Sequence, residues 1–283
     1  MTPSQNHLNL LFPQWQGSGP DNELFYATLQ VARLCTQKTF TQVPVTETEE
    51  LDVSNGVLGY ESILSQMQSA AELVTQSAPE TILTIGGDCG IEPVPVSYLN
   101  KQHNGDLTLV WLDAHADMNT PATSPSGHFH GMPLATLMGY GDQNICQTCL
   151  STLAPEQVIL AGIRTLDPEE RQLIQSKNIS LVSAREINTN VSALIKAIKE
   201  KGNTAVYIHI DLDVLDPKTY PFIGHPEPEG LKQNTLERMV DEIDSEFTIA
   251  GLGLMEFTRY PFGEKDQDLR GLDVVRALAD RVF

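Results

Sequence analysis

Short apolar runs alternate with amphipathic runs along most of the chain. The apolar runs are rich in Val, Ile and Leu and predict strands: TILTI (81–85), LTLVWLD (107–113), QVILAGI (157–163), ISLVSA (179–184), AVYIHIDLDV (205–214) and IAGLGLMEF (249–257). Between them, apolar residues recur at helical spacing and predict helices over 60–78, 132–140, 168–177, 191–201, 234–246 and 272–282. Apolar strands separated by helices are typical of a parallel sheet covered on both faces, so the pattern predicts a doubly wound α/β fold.

The organisation of the chain predicts one domain. No internal repeat, low-complexity tract or linker divides its 283 residues, so residues 1–283 are expected to fold together. No apolar run is long enough to cross a bilayer. The N-terminal stretch lacks the basic and apolar regions of a signal peptide, and a cytoplasmic location is expected.

The charge balance narrows the choice of partners. The net charge is −19, from 37 acidic and 18 basic residues. Such a surface repels phosphate backbones and anionic membranes, which excludes nucleic acid and membrane as expected partners. It would attract a cationic small molecule, although acidity alone also serves solubility.

Polar side chains interrupt the apolar pattern where predicted strands end. In WLDAHAD, Asp113, His115 and Asp117 occupy alternate positions, which would place them on one face of an extended chain. Asp211 and Asp213 end a second strand in the same way. Because ligands of doubly wound sheets bind beyond the carboxyl ends of the strands, these side chains are expected to converge.

Converging carboxylates need positive charge. Left unpaired in a partly dehydrated pocket, each would cost several kcal/mol, and Arg164 is the basic residue near these strand ends. Two divalent cations would neutralise four aspartates, with one Asp per strand bridging both ions and a His or Cys on each side. Cys89, which follows a third strand, is one such additional donor.

Six motifs, in order along the chain, resemble those of the ureohydrolases, the family that includes arginase and agmatinase. They are GGDCG, WLDAHADMNT, SGHFHGMP, GIRTLDPEE, IDLDVLDP and LMEF, and the resemblance runs from about residue 81 to the C-terminus. It implies an arginase-like three-layer α/β/α fold with a mostly parallel sheet, and two Mn²⁺ ions. It also implies hydrolysis of a guanidino group to urea and an amine, and a homo-oligomer, either a trimer or a hexamer.

The resemblance also implies residue roles. Six residues would hold the metals, two as bridges and one pair on each side: Asp113 and Asp211 as bridges, His115 with Asp213, and Asp117 with Cys89. A hydroxide between the ions would attack the guanidinium carbon, and Asp117 would orient it and relay its proton to the leaving amine. His130 matches a proton-shuttling histidine, and Glu256 matches the glutamate that pairs with the guanidinium of the substrate.

Cys89 departs from the family pattern, which has a histidine there. Its thiolate could bind the metal and favour zinc, cobalt, nickel or iron over manganese. The pocket could instead hold one ion tightly and the other weakly. Alternatively, Cys89 is a buried neutral thiol and the protein is a poor enzyme or an inactive assembly partner. Because every other ligand position matches, a working enzyme is expected, in which Cys89→His raises manganese affinity.

Residues around the presumed substrate give a mixed picture. Asn119 and Ser126 match positions that contact the substrate carboxylate in arginases, and Asp167 matches an amino-acid-binding aspartate but also fits the N-cap of the helix that follows. His128 replaces an expected Asn, and His225 stands where arginases have a Thr. Arginine is the first expected substrate, agmatine or guanidinobutyrate the next, and a formimino or amidino acid the third.

His209 precedes Asp211 by two residues on the same strand face. It should therefore lie deeper in the sheet. The prediction is a core histidine, or one that orients a ligand, rather than a ligand itself.

Overall fold

A sheet of eight parallel strands forms the centre of the computed structural model, which describes residues 6–264 and 266–283. The strand bounds are His7–Phe12 (β1), Thr41–Gln42 (β2), Val53–Ser54 (β3), Val57–Leu58 (β4), Thr81–Gly86 (β5), Leu107–Leu112 (β6), Val158–Ala161 (β7), Ser180–Val182 (β8), Ala205–Asp211 (β9) and Thr248–Met255 (β10). Their order in the sheet is β2-β1-β5-β10-β9-β6-β7-β8, while β3 and β4 form a separate antiparallel hairpin.

Helices cover both faces of this sheet. Their bounds are Glu23–Leu34 (α1), Tyr60–Ser77 (α2), Pro93–Gln102 (α3), Pro133–Leu137 (α4), Gln143–Cys146 (α5), Pro168–Lys177 (α6), Ala184–Thr189 (α7), Ser192–Lys201 (α8), Gln233–Glu246 (α9) and Arg270–Val282 (α10). Buried residues of α1, α7, α8, α9 and α10 pack in one core, and those of α2, α3, α4, α5 and α6 pack in the other. The predicted three-layer α/β/α architecture is therefore confirmed.

The strand sequences explain why two cores form. Every residue of β5 is buried, and its side chains alternate between the cores, with Leu83 and Ile85 in one and Ile82 in the other. Burying such a side chain contributes about 1.5–3 kcal/mol, so a strand that is apolar on both faces is stabilised most between two helical layers.

The six predicted strands correspond to β5 to β10, and the six predicted helices to α2, α4, α6, α8, α9 and α10. The sequence pattern does not predict β1, the short strands β2 to β4, or helices α1, α3, α5 and α7. One prediction was wrong in a way that matters for the pocket. Strand β6 ends at Leu112, so the residues from Asp113 to Asp117 do not continue it as an extended chain.

One edge of the sheet gathers the polar residues. Strands β5, β10, β9 and β6 are neighbours, and their carboxyl ends lead to Cys89, Glu256, Asp211 and Asp113. Among the described helices, none is both long and apolar enough to span a membrane.

Candidate metal centre and active site

Asp113, His115 and Asp213 form one half of the acidic pocket. His115 Nδ1 lies 2.9 Å from Asp213 Oδ2 and 3.6 Å from Asp113 Oδ1. The other oxygen of Asp213 accepts a hydrogen bond from the Ala114 N–H, at 2.9 Å. The three potential ligand atoms lie within 4.8 Å of one another, which is close enough to surround one ion.

Cys89, Asp117 and Asp211 form the other half. The Cys89 thiol donates to Asp211 Oδ2 at 3.3 Å, and Cys89 also belongs with Asp113 and Asp117 to a second group of potential ligands. Asp113 is therefore common to both halves. All six predicted metal ligands meet in one pocket, and every one except the half-buried His115 is buried.

Two candidate functional residues have an unusual backbone conformation. Asp117 has φ 53° and Glu256 has φ 59°, in the left-handed region that side chains other than glycine disfavour. Each costs on the order of 1–3 kcal/mol and persists only where surrounding contacts fix it. At Asp117 this turn, rather than strand alternation, aims the carboxylate back towards Asp113.

The protein alone does not neutralise the second half. Burial raises the pKa of Asp117 and Asp211 well above the ordinary carboxyl value, and neighbouring aspartates raise it further. Burial and the charge of Asp211 likewise raise the pKa of the Cys89 thiol. In the first half, by contrast, hydrogen bonding from His115 outweighs burial and lowers the pKa of Asp213.

The donors present fit divalent cations. Asp117 Oδ2 is buried and has no hydrogen-bond partner among the described residues. Arg164 does not serve the aspartates, because its guanidinium donates to the main-chain carbonyl oxygens of Gly162, Asp213, Val214 and Glu227. Carboxylate, imidazole and thiol donors that lack a balancing basic side chain are the donor set that binds Mn²⁺, Co²⁺ or Zn²⁺.

Glu256 and His130 form a pair beside this pocket. His130 Nδ1 lies 3.4 Å from Glu256 Oε1, which also accepts a hydrogen bond from the Ser18 hydroxyl at 2.7 Å. Burial alone would lower the pKa of His130, but the hydrogen bond and charge of Glu256 outweigh it and raise that pKa. Burial would raise the pKa of Glu256, yet His130 lowers it. Each member of the pair therefore stabilises the charged form of the other.

Asn119 and Asp167, the predicted contacts to an amino-acid substrate, lie together. The Asn119 amide donates to Asp167 Oδ2 at 2.8 Å. Glu170 accepts from the main-chain N–H of Asp167 and from that of Met118, both at 2.9 Å. Asp167 is thus the N-cap of α6 and also faces Asn119, so the two interpretations of this residue are compatible.

The remaining predicted substrate contacts lie on the rim. Ser126 is exposed, and its hydroxyl accepts the main-chain N–H of His128 at 3.2 Å. The His130 ring lies between two others, with ring centroids 5.8 Å from His128 and 5.1 Å from the exposed His225. A cavity of about 340 Å³ adjoins His225, and Glu256 and Tyr260 also line it.

The structure adds residues that sequence reasoning missed. Ser18 holds Glu256, and the Trp111 indole N–H donates to Asp113 Oδ2 at 3.1 Å. Trp111 precedes Asp113 by two residues, so strand alternation could have revealed this contact. Glu92, which lies against His209 Nδ1 and accepts a hydrogen bond from the Tyr207 hydroxyl, carries no such signal because both partners are remote in sequence.

These observations define a three-layer α/β/α protein with a buried acidic cluster of potential metal ligands at the carboxyl edge of its sheet. The chain belongs to the arginase family, whose sequence model matches residues 19–267. This membership supports a hydrolase that acts on carbon–nitrogen bonds of amidines, and the predicted ureohydrolase resemblance is confirmed.

Individual relatives agree with this membership. The arginase of Staphylococcus aureus strain MSSA476 is 30% identical over 223 residues, which cover 76% of this chain and 74% of the relative. The crystal structure of Entamoeba histolytica arginase in complex with L-ornithine superposes with a TM-score of 0.83 at 22% identity, covering 98% of this chain and 97% of that one. Bacillus caldovelox arginase gives 0.79 at 25% identity, with the same coverage.

Proposed function

We propose that this protein is a metal-dependent hydrolase of a linear guanidino compound, with arginine as its substrate and urea and ornithine as products. The observation that carries the proposal is the convergence of four aspartates, Cys89 and His115 beside the Glu256–His130 pair. We also propose that the whole chain, residues 1–283, acts as one ureohydrolase domain.

The metal is proposed to be a pair of divalent ions held by the two halves of the pocket, with Asp113 and Asp211 shared. When bound, such ions would neutralise the aspartates and lower the pKa of a coordinated water towards neutrality. Oxygen donors favour manganese, whereas the Cys89 sulfur favours zinc, cobalt, nickel or iron.

Asp117 is proposed to orient the attacking water and accept its proton. Its Oδ2 is buried and lacks a partner among the described residues, so it is available to a water molecule beside the ligand cluster.

Glu256 is proposed to bind the guanidinium of the substrate. Hydrogen bonds from His130 and Ser18 help to keep this carboxylate ionised, as a charge-assisted pair with a guanidinium requires. Water adds to the guanidinium carbon, and the bond from that carbon to the amine nitrogen breaks as this nitrogen receives the proton that Asp117 took from the water. The added hydroxyl loses its proton as urea forms, and His130 delivers a second proton to the departing amine, which leaves as an ammonium. The partly exposed His130 ring can then regain a proton from solvent.

The Asn119–Asp167 pair favours an α-amino acid as substrate. An amide and a carboxylate side by side can meet the carboxylate and the ammonium of an amino acid, respectively. The test is urea release from arginine, agmatine and guanidinobutyrate, by protein loaded in turn with manganese, cobalt, nickel and zinc. We expect arginine to react fastest and chelation to abolish the reaction. No urea from any compound with any of the metals would refute the proposal.

A different guanidino or amidino compound is the second candidate. The observation that favours it is the pair of imidazoles at the rim, His128 and His225, of which His225 lines the cavity beside Glu256. Burial lowers the pKa of both rings, so near neutral pH they add little positive charge for a carboxylate. In the same panel, agmatine faster than arginine would identify this candidate.

A further inference from the structure

His209 is fully buried on β9, and one of its ring nitrogens points at the ligand cluster. Its Nε2 lies 3.6 Å from Cys89 Sγ and 4.0 Å from Asp113 Oδ2. With Asp117, these residues form a group whose potential ligand atoms all lie within 4.8 Å of one another. The expectation that His209 lies too deep to be a ligand therefore does not match the geometry.

The opposite nitrogen of the ring is held by a carboxylate. His209 Nδ1 lies 3.1 Å from Glu92 Oε1, and the Tyr207 hydroxyl donates to Glu92 Oε2 at 2.7 Å. The Trp111 ring stacks on His209, with centroids 3.6 Å apart and planes at 18°. An Nδ1–H that donates to a carboxylate leaves the Nε2 lone pair free, which is the arrangement of metal-binding histidines.

The neighbouring strand makes room for this carboxylate. Gly253 on β10 pairs with His209, and a Cβ at position 253 would lie only 1.8 Å from Glu92 Oε1. The buried chain of Tyr207, Glu92 and His209 thus depends on a glycine. A histidine that only fills a core would need neither this glycine nor a thiol and carboxylates facing its second nitrogen.

We propose that His209 Nε2 is a ligand of the divalent cation held beside Cys89 and Asp117, with Glu92 as the carboxylate that orients the ring. The two halves of the pocket then each have one imidazole, His115 in the first and His209 in the second. This inference rests on the cation binding of the proposed function, but not on the identity of the substrate.

Cobalt-loaded protein provides a test that needs no variant. Co²⁺ shifts the proton resonances of an imidazole that binds it far outside the normal range. We expect two shifted N–H resonances. The resonance of His209 Nδ1–H should exchange slowly with solvent, because this group is buried against Glu92. The resonance of His115 should exchange faster, because its ring is partly exposed.

Variants assign the slow resonance and measure the contribution of the ligand. His209→Asn should remove the slow resonance and lower the affinity for one of the two cobalt ions about a hundredfold in equilibrium dialysis. Glu92→Gln should lower the affinity for the same ion about tenfold. His103→Asn, which alters a partly exposed histidine at the end of α3, is the matched control and should change neither.

The outcomes separate this inference from the proposed function. Bound cobalt without a slow shifted N–H resonance, or an unchanged resonance and affinity in His209→Asn, would overturn the ligand role even if urea is released. A slow resonance in a protein that releases no urea would support the ligand role and refute the function. Wild-type protein that binds no cobalt would overturn both.

Discussion

The two halves of the acidic pocket differ in how their charge is balanced. In the half formed by Asp113, His115 and Asp213, an imidazole 2.9 Å from a carboxylate supplies a positive charge. Burial would lower the pKa of His115, but its hydrogen bonds to Asp113 and Asp213 raise it to about 12. In the half formed by Cys89, Asp117 and Asp211, burial and like charges raise every pKa.

This difference shows which half depends more on a bound cation. The first half can be neutralised by a proton on His115, so a metal there must compete with that proton. The second half has a buried carboxylate oxygen without a partner among the described residues, and a cation relieves its repulsion directly. Below neutral pH we therefore expect the second half to bind its cation at a lower metal concentration than the first, because a metal in the first half must displace the proton on His115.

Removing the shared carboxylate should have the largest effect, because it affects both halves. Asp113→Asn is expected to lower kcat at least about a thousandfold, which corresponds to roughly 4 kcal/mol of transition-state stabilisation. Elemental analysis should find fewer than one ion per chain. Asp244→Asn, an exposed change of the same chemistry on α9, is the control. Two retained ions and a normal rate in Asp113→Asn would contradict the sharing of this residue.

Loss of the Glu256 charge should affect substrate binding more than metal content. Glu256→Gln is expected to lower kcat/KM about a hundredfold, because a guanidinium then lacks its charged partner. The cation content should stay the same. If the variant instead loses an ion, Glu256 acts as a ligand beside Cys89 and Asp211, a grouping that the distances also allow.

The sulfur of Cys89 should set metal preference in the second half. Cys89→His is expected to raise manganese affinity relative to zinc by about tenfold, because an imidazole is a harder donor than a thiolate. Competition titration of the two metals measures the ratio. The new ring would lie beside His209, so Cys89→Ser, which replaces the thiol with a smaller and harder oxygen donor, tests the same preference without added bulk. An unchanged ratio in both variants would count against Cys89 as a ligand.

The fold was more predictable from sequence than the details of the pocket. Strands β5 to β10 were recognised because each is a short run of buried branched residues. Helix α3 was missed because it begins with two prolines in PVPV and is buried on nearly all sides, so it has no polar stripe. Strand β1, with the sequence HLNLLF, was missed because its single apolar run has no predicted helix on either side.

In the pocket, residue types at strand ends predicted the convergence, but long-range contacts decided the orientations. The three polar residues of DAHAD do meet at the pocket. They do so beyond the end of β6, where His115 lies with Asp213, and Asp117, in a left-handed conformation, lies with Cys89. The hydrogen bonds of Ser18 and Glu92 to remote partners could not be predicted from one sequence, since neither residue lies in a recognisable pattern.

The Glu256–His130 pair should produce the smallest effect, on stability. Because the pKa of His130 is raised on folding, its contribution to the free energy of unfolding is full below the ordinary pKa of 6.5 and is lost as the pH rises through the raised pKa. Because the pKa of Glu256 is lowered on folding, its contribution to the free energy of unfolding is full above the ordinary pKa of 4.5 and is lost as the pH falls through the lowered pKa. In metal-free protein, urea unfolding should show His130→Asn destabilising by about 1 kcal/mol more at pH 6 than at pH 9. An equal difference at both pH values would contradict the ion pair.

Anomalous diffraction from a crystal grown with Mn²⁺ tests the central claim most directly. We predict two manganese peaks per chain, both within coordination distance of Asp113 and Asp211, one beside His115 and Asp213 and the other beside Cys89 and Asp117. A pocket without a peak, or peaks only on the acidic surface, would contradict the account.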